Sequence, residues 1–120
     1  ISRLLKMKLA GNILISREKL IQYLLVPKKR NDKSQWLARA GYTLENWRLL
    51  KNDLHNQILS LDAIPIENTQ YGQMYEIKGK LTGPNRKSLT VCTIWMTENE
   101  TGNTKFITMY PDKGRYINDI

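Results

Sequence analysis

The sequence predicts an α+β fold, with about three N-terminal helices followed by an antiparallel sheet of three or four strands. The first half has apolar residues at helical spacing, seen best at Trp47, Leu50 and Leu54. The second half alternates apolar and polar residues and is rich in Thr, Val, Ile and aromatics, as strands are. At 120 residues the chain is predicted to form a single domain over residues 1–120.

Three capping residues divide the first half into helices. Ser16 precedes the first helix, and Pro27 ends it because the residue before a proline is pushed out of helical geometry. Asp32 is predicted to cap a short second helix. Thr43 is predicted to cap the third and longest helix, which ends near Leu61.

Three runs in the second half are predicted to form an antiparallel meander. Their strands are expected at residues 73–81, 88–97 and 105–110. A further short strand over residues 62–67 is expected only at the edge of the sheet, because Pro65 cannot donate a ladder hydrogen bond. The tail after Pro111 has little periodicity and is predicted to be partly ordered at most.

Alternation at period two sorts the side chains of this meander between two faces. The core-facing set is predicted to be Tyr75, Ile77, Ile94, Met96, Ile107 and Met109. The outward face is predicted to carry Lys78, Lys80, Thr93, Trp95, Thr108 and Tyr110. A merely solvated face does not usually combine aromatic rings with lysines and hydroxyls. The alternative is an ordinary amphipathic sheet with a second small core on that face.

Positive charge is concentrated in the first half of the chain. The formal net charge is +8, and residues 1–60 carry 12 Lys and Arg against 4 Asp and Glu, whereas residues 61–120 carry 7 of each kind. Such a concentration indicates a polyanionic partner, either nucleic acid or an acidic protein, rather than a membrane surface. No apolar run is long enough to cross a membrane.

One basic run is the best single candidate for phosphate contact. The run consists of Lys28, Lys29, Arg30 and Lys33. Lysine and arginine side chains neutralise the phosphates of a nucleic-acid backbone and release the counterions bound there. The alternative interpretation is a solvated loop that contacts no partner.

The titratable residues limit the chemistry available to the chain. His55 is the only histidine, and it is either a boundary residue beside the helical stripe or a proton-transfer residue. Cys92 is the only cysteine and is interpreted as a buried thiol rather than a nucleophile. The sequence has no spaced set of metal ligands and no glycine-rich phosphate loop. We therefore predict no metal and no cofactor, and any enzyme here must use plain acid/base chemistry.

Several short motifs resemble those of a known family. They are residues 8–12 and 19–25, the pair Tyr71-Gly72, and residues 81–85, 93–95 and 107–111. Over roughly residues 6 to 113 the chain is similar to an uncharacterised family of small domains found at the C-termini of bacterial polymorphic and contact-dependent growth inhibition toxins, and in some phage head proteins. The predicted element order also resembles the barnase/EndoU/colicin/RelE group of small ribonucleases.

The resemblance implies a toxin domain that cleaves RNA in a target bacterium, with tRNA as the expected substrate. It implies a cognate immunity protein, expected to be acidic, and a target-cell translation factor as a further expected partner. The domain would be delivered from a donor cell as part of a larger secreted or surface protein and would act in the target-cell cytoplasm. The start at Ile1 without an initiator methionine agrees with a C-terminal fragment of such a protein.

RNA cleavage by attack of a 2′-hydroxyl on its own phosphate needs a base, an acid and a cation for the charge of the phosphorane. Under the resemblance the catalytic candidates are Lys78, Thr108, Tyr110 and His55. The substrate-binding candidates are Trp95, Lys80, Thr93, Lys28, Lys29, Arg30 and Lys33. Lys78 or Lys80 is expected to stabilise the charge, and Trp95 or Tyr110 to stack an unpaired base. This chemistry requires no metal.

A second interpretation belongs to another functional class. The chain could be a non-enzymatic adaptor, a basic domain of a phage or secreted protein that binds only nucleic acid or a partner protein. Both interpretations predict the basic first half. Only the enzyme requires convergent polar groups on the outward face of the sheet.

Overall fold

The computed structural model describes residues 7–30 and 32–113, and its centre is a six-stranded mixed sheet curled into a half-barrel. The strands are β1 Met7–Lys8, β2 Ile13–Leu14, β3 Asp62–Asn68, β4 Gly72–Thr82, β5 Ser88–Glu98 and β6 Thr104–Pro111. Their order across the sheet is β1-β3-β4-β5-β6-β2. The predicted fold, helices followed by a three- or four-stranded antiparallel sheet of the barnase/EndoU/colicin/RelE type, is therefore wrong.

The error lies in the outer strands of the sheet. The meander of β4, β5 and β6 is antiparallel, as predicted. β1 and β2 have two residues each, which is too short to show alternation in the sequence. The strand predicted around Pro65 exists as β3, and the proline lies at a shift of register between Pro65 and Glu67, where a missing ladder donor is tolerated.

The N-terminal segment requires the sheet to curl. β1 pairs antiparallel with β3 at one edge, and β2 pairs parallel with β6 at the other edge. Residues 9–12 alone connect β1 to β2, so the Cα atoms of Lys8 and Ile13 can be at most about 18 Å apart. Five strand spacings in a flat sheet would separate these edges by about 24 Å. The two edges must therefore approach each other.

Three short helices lie between the N-terminal strands and the main sheet in the sequence. They are α1 Lys19–Leu24, α2 Ser34–Ala38 and α3 Trp47–Asp53, and α3 continues as a wide turn over Leu54–Ile58. α1 and the end of α3 have π-type geometry, with hydrogen bonds five residues apart from Leu25 N to Leu20 O and from Leu59 N to Leu54 O. Each helix is shorter than its sequence pattern indicates.

The predicted capping residues make hydrogen bonds near the helix starts, although the residues directly before the three helices are Glu18, Lys33 and Asn46. Asp32 Oδ1 accepts hydrogen bonds from the backbone N–H and the hydroxyl of Ser34, at 2.8 and 2.6 Å. Thr43 Oγ1 accepts the N–H of Asn46 at 3.3 Å, and Asn46 Oδ1 accepts the N–H of Thr43 at 2.7 Å. Ser16 Oγ accepts the N–H of Lys19 at 3.4 Å. These side chains satisfy backbone donors that the first turn of a helix leaves unpaired.

The helices and one face of the sheet enclose a single core. Its largest fully buried side chains are Trp95, Tyr42, Phe106, Leu20, Leu24, Leu37, Leu50, Leu54, Ile58, Ile77, Leu81 and Met109. Tyr42 brings a polar group into this core, and its hydroxyl donates to Asp53 Oδ2 at 2.6 Å. This core lies on one face of β4, β5 and β6, and we call the opposite face the outer face.

The predicted facing of β5 is wrong. Trp95 and Thr93 were expected on the outer face, but both are fully buried in the core. In the register, Thr93 lies opposite Ile77 and Trp95 opposite Tyr75, so these side chains share the core face of β4. Ile94, which was expected inside, therefore points to the outer face. β5 has apolar residues on both faces, and burying the large indole ring decided between them.

The predicted facing of β6 is wrong over its first half. Phe106 was expected outward and Ile107 inward, but Phe106 is buried beside Trp95, with ring centroids 5.2 Å apart in an edge-to-face arrangement. A register shift between Ile94 and Trp95 allows Phe106 and Met109, three residues apart, to reach the same core. Beyond the shift, Thr108 lies outward and Met109 inward, as predicted. The part of the predicted tail beyond Lys113 lies outside the described residues.

Candidate functional site

A polar cluster occupies the outer face of the three central strands. We call the cluster formed by Glu76, Lys78, Cys92, Thr108 and Tyr110 the outer-face site. Lys78, Cys92 and Tyr110 form one row across the strands, and Glu76, Ile94 and Thr108 form the next. Side chains opposite each other on one face of an antiparallel pair have Cβ atoms about 4.5–5.5 Å apart. The whole site therefore spans two strand spacings, from β4 across β5 to β6.

The middle of the site is a short hydrogen-bonded chain. The Cys92 thiol donates to Glu76 Oε2, with Sγ and Oε2 2.9 Å apart. Burial, and then the bond to Glu76, raises the pKa of Cys92 to about 11. A hydrogen bond with Cys92 and burial raise the pKa of Tyr110 to about 12. Both groups therefore keep their protons at neutral pH, and Cys92 is not a thiolate nucleophile.

A cleft opens beside this chain of hydrogen bonds. Its volume is about 560 Å³, and it is lined by Glu76, Lys78, Cys92, Tyr110, Pro111, Asp112 and Lys113. Tyr110 is 38% exposed at the cleft, whereas Cys92 is 1% exposed at its floor. The cleft therefore offers a carboxylate, a phenol and ammonium groups to a molecule on the surface of the sheet.

A third cation reaches the site from outside the sheet. Lys33 is the last residue of the basic run, directly before α2, and its ammonium group donates to Thr108 Oγ1 at 3.2 Å. The same ammonium lies 5.9 Å from the ring centroid of Tyr110. Burial and the charge of Lys28 lower the pKa of Lys33, so its ammonium is partly desolvated. The fold thus joins the basic run to the outer face.

Four of the predicted site residues come together in this way, namely Lys33, Lys78, Thr108 and Tyr110. Lys80 is exposed two residues beyond Lys78, on the same strand. Lys28, with its ammonium 3.9 Å from the ring centroid of Tyr23, lies near Lys33. Lys29 and Arg30 are exposed.

The other predicted site residues lie apart from the outer face. Trp95 is fully buried, and its indole N–H donates to Thr93 Oγ1 at 2.7 Å, so the ring cannot stack a base. Thr93 Oγ1 in turn donates to the carbonyl of Ile77 at 2.9 Å. His55 is exposed on the wide turn that ends α3, and the neighbouring Leu54 and Ile58 pack into the core on the other face of the sheet. The geometry therefore separates His55 from the cleft.

Two residues of the site were not assigned a role from the sequence. Glu76 precedes Lys78 by two positions and so shares its face, which was the available signal. Cys92 was expected in the core, and only the reversed facing of β5 brings it to the outer face. In the residues that the structure describes, no three His, Cys, Asp or Glu side chains lie close enough to hold a metal ion. No helix in residues 7–30 and 32–113 is long and apolar enough to span a membrane.

Comparisons with known proteins support a relationship at the level of fold and family. No curated protein matches the chain. A chain of similar fold occurs in a solved complex described as a contact-dependent growth inhibition toxin and immunity protein from Klebsiella pneumoniae 342. The TM-score is 0.63 and the sequence identity 17%, over 82% of this chain and 98% of that chain. A family model matches residues 6–113, and the chain therefore belongs to the family described as a domain of unknown function (DUF6883).

Proposed function

We propose that this chain is the toxin domain of a contact-dependent growth inhibition protein and that it cleaves RNA at the outer-face site. The observation that carries the proposal is the hydrogen bond from Lys33 to Thr108, which brings a cation of the basic run onto the face that holds Glu76, Lys78 and Tyr110. Together these residues could supply a base, an acid and positive charge, which a phosphoryl transfer from RNA needs.

The reaction can be written with the residues of the site. Glu76 accepts the proton of the 2′-hydroxyl as its oxygen bonds to phosphorus, and the bond from phosphorus to the 5′-oxygen breaks. Tyr110, which is protonated at neutral pH, gives its proton to that 5′-oxygen. Lys33 and Lys78 stabilise the negative charge that the phosphorane gathers, and Thr108 donates a hydrogen bond to one of its oxygens. The products are a 2′,3′-cyclic phosphate and a free 5′-hydroxyl.

The toxin assignment is supported by fold and charge. The similar solved chain belongs to a toxin and immunity protein complex, and a net charge of +8 suits the member of such a pair that binds RNA. We propose tRNA as the substrate and an acidic immunity protein as the inhibitor. Delivery from a donor cell into the cytoplasm of a target cell follows from the same proposal.

The experiment is induction of the chain in bacteria, followed by gel analysis of total RNA and by end-group analysis of purified tRNA. We expect discrete tRNA fragments that end in cyclic phosphates, and no fragments from the Glu76→Gln variant, which cannot accept the proton. Intact RNA that is retained by the wild-type chain would instead support the non-enzymatic adaptor. Restored growth on co-expression of an acidic neighbouring-gene product would test the immunity partner.

A further inference from the structure

Three lysines converge on one exposed tyrosine ring next to the outer-face site. The ammonium groups of Lys28, Lys19 and Lys33 lie 3.9, 5.4 and 5.8 Å from the ring centroid of Tyr23. The tyrosine is 42% exposed on α1, so the group faces solvent. We call these four residues the lysine–tyrosine cluster.

In the part of the chain described, no carboxylate forms an ion pair with a lysine of this cluster. The ion pairs found there are Lys8–Asp62 and Lys105–Glu98, and neither involves the cluster. The pKa of Asp32 is lowered first by hydrogen bonds to its Oδ1 from the hydroxyl and the backbone N–H of Ser34, and also by the charge of Lys28. A tyrosine ring attracts ammonium groups through its quadrupole but carries no formal charge to cancel theirs.

The arrangement has the properties of a prepared anion site. Lysines held together repel one another, and this repulsion is relieved when an anion binds between them. The ring holds the side chains near the positions that the anion needs, which lowers the cost of ordering them on binding. A shallow depression of about 580 Å³ adjoins the ring, and its polar lining residues are Ser16, Glu18, Lys19, Gln22, Tyr23 and Lys105. The Glu18 carboxylate accepts a hydrogen bond from the Ser16 hydroxyl, with Oε1 and Oγ 3.1 Å apart.

We infer that the lysine–tyrosine cluster is a second phosphate subsite, which binds the phosphate next to the scissile one in a single-stranded polynucleotide. Lys33 belongs to both sites, because its ammonium group contacts Thr108 while it lies between the rings of Tyr23 and Tyr110. The inference rests on the proposed function and adds that the substrate must carry at least two consecutive phosphates. A dinucleotide, with one phosphate, can occupy only the outer-face site.

The test measures binding of a fluorescent oligodeoxynucleotide, which has no 2′-hydroxyl and cannot be cleaved, as salt is raised. The K19A/K28A variant should lower the slope of log affinity against log salt by about 0.7, the value for one lost phosphate contact on a single strand. The Arg39→Ala/Lys87→Ala variant removes two exposed charges elsewhere and serves as the control. Tyr23→Leu should weaken binding about fivefold or more although every lysine remains, whereas Tyr23→Phe should bind as the wild type does.

Cleavage assays supply the second readout. K19A/K28A should lower kcat/KM for an oligoribonucleotide with several phosphates at least about tenfold more than it lowers kcat/KM for a dinucleotide. An unchanged salt slope together with equal losses for both substrates would overturn the subsite. The subsite would also be overturned if K19A/K28A lost as much affinity for polyglutamate as for the oligodeoxynucleotide, because the cluster would then bind any polyanion. If the ribonuclease proposal alone fails, the wild type cuts neither substrate, yet the salt slopes still separate the variants.

Discussion

The Thr108 hydroxyl oxygen accepts a hydrogen bond from the ammonium group of Lys33, which lies 75 positions earlier in the chain. The hydroxyl accepts from Lys33, so its own hydrogen remains available to a phosphate oxygen, and the two groups would present one donor and one charge to the same ligand. A hydroxyl oriented in this way costs little reorganisation when charge develops in the transition state. Thr108 thus contributes to the site through its hydrogen bond with Lys33 as well as through its position on β6.

Removal of the proposed charge-stabilising groups gives the first prediction. Thr108→Ala and Lys78→Ala should each lower the rate of RNA cleavage by roughly tenfold to a thousandfold, the range for losing one transition-state donor, while the fold remains intact. Single-turnover cleavage and circular dichroism would be measured on each variant. His55→Ala is the discriminating control, since His55 lies away from the cleft. Loss of activity in His55→Ala alone would move the catalytic centre to the helices.

The buried thiol gives a prediction on alkaline stability. The folded pKa of Cys92 is about 11, above its ordinary value of 9.0, so the folded state holds this proton more tightly than the unfolded state does. The resulting stability is fully present below pH 9.0 and is lost as the pH rises through about 11. Cys92→Ala should therefore flatten the fall in unfolding free energy over this window, by at most about 2–3 kcal/mol. Urea unfolding at several pH values would measure it, and parallel curves for both chains would contradict it.

Among the secondary-structure elements, β5 shows the difference between what the sequence could predict, the existence of the strand, and what it could not, the face that each side chain occupies. The strands β4, β5 and β6 and the hydrogen bonds of Asp32 and Thr43 near the helix starts were predictable, because they depend on local alternation and on local contacts. The facing of β5 was not predictable from alternation, since Val91 and Trp95 on one face compete with Cys92 and Ile94 on the other.

The same reasoning separates the parts of the candidate site. Lys78, Thr108 and Tyr110 were placed on the outer face correctly because alternation is unbroken along β4 and from Thr108 to the end of β6. Trp95 was misplaced because β5 has apolar residues on both faces, and Phe106 was misplaced because the register shift between β5 and β6 leaves no mark in the sequence. The contact of Lys33 with Thr108 joins a loop to a strand 75 residues away in the chain. A single sequence does not indicate which loop residue contacts which distant strand.

The buried position of Trp95 gives a prediction for the sheet. Trp95→Ala should lower the free energy of unfolding by about 3–5 kcal/mol, because it leaves a cavity in the core next to Phe106. Tyr71→Ala is a matched aromatic control, since Tyr71 is 68% exposed and its removal should change stability little. Urea denaturation would measure both. A stable Trp95→Ala variant that lost only RNA binding would restore the base-stacking interpretation.

At the scale of the whole molecule, the basic first half supplies cations to a sheet formed mainly by the second half. Net charge alone would attract RNA to the entire surface, whereas the fold directs Lys28 and Lys33 towards the outer face and leaves Lys29 and Arg30 exposed. The location of the charges, rather than their number, should therefore decide affinity and rate.

Two variants of equal charge test this distinction. Lys28→Ala/Lys33→Ala and Lys29→Ala/Arg30→Ala each remove two positive charges from the same run. The first should reduce cleavage at least tenfold more than the second, because only its residues reach Tyr23 and Thr108. Initial rates at two ionic strengths would be compared. Equal rates for the pair would indicate that the run acts only through long-range attraction.

The short segment from β1 to β2 pairs with both margins of the sheet, although it contributes only two residues to each. The unpaired backbone groups of an edge strand can pair with another copy of the chain, so this segment should reduce self-association. A chain that starts at Ile15 should keep its central hairpins yet form oligomers at micromolar concentration, which light scattering would detect. Because β1 pairs with β3 in the middle of the chain and β2 pairs with β6, the last strand, both pairings exist only after β6 has folded.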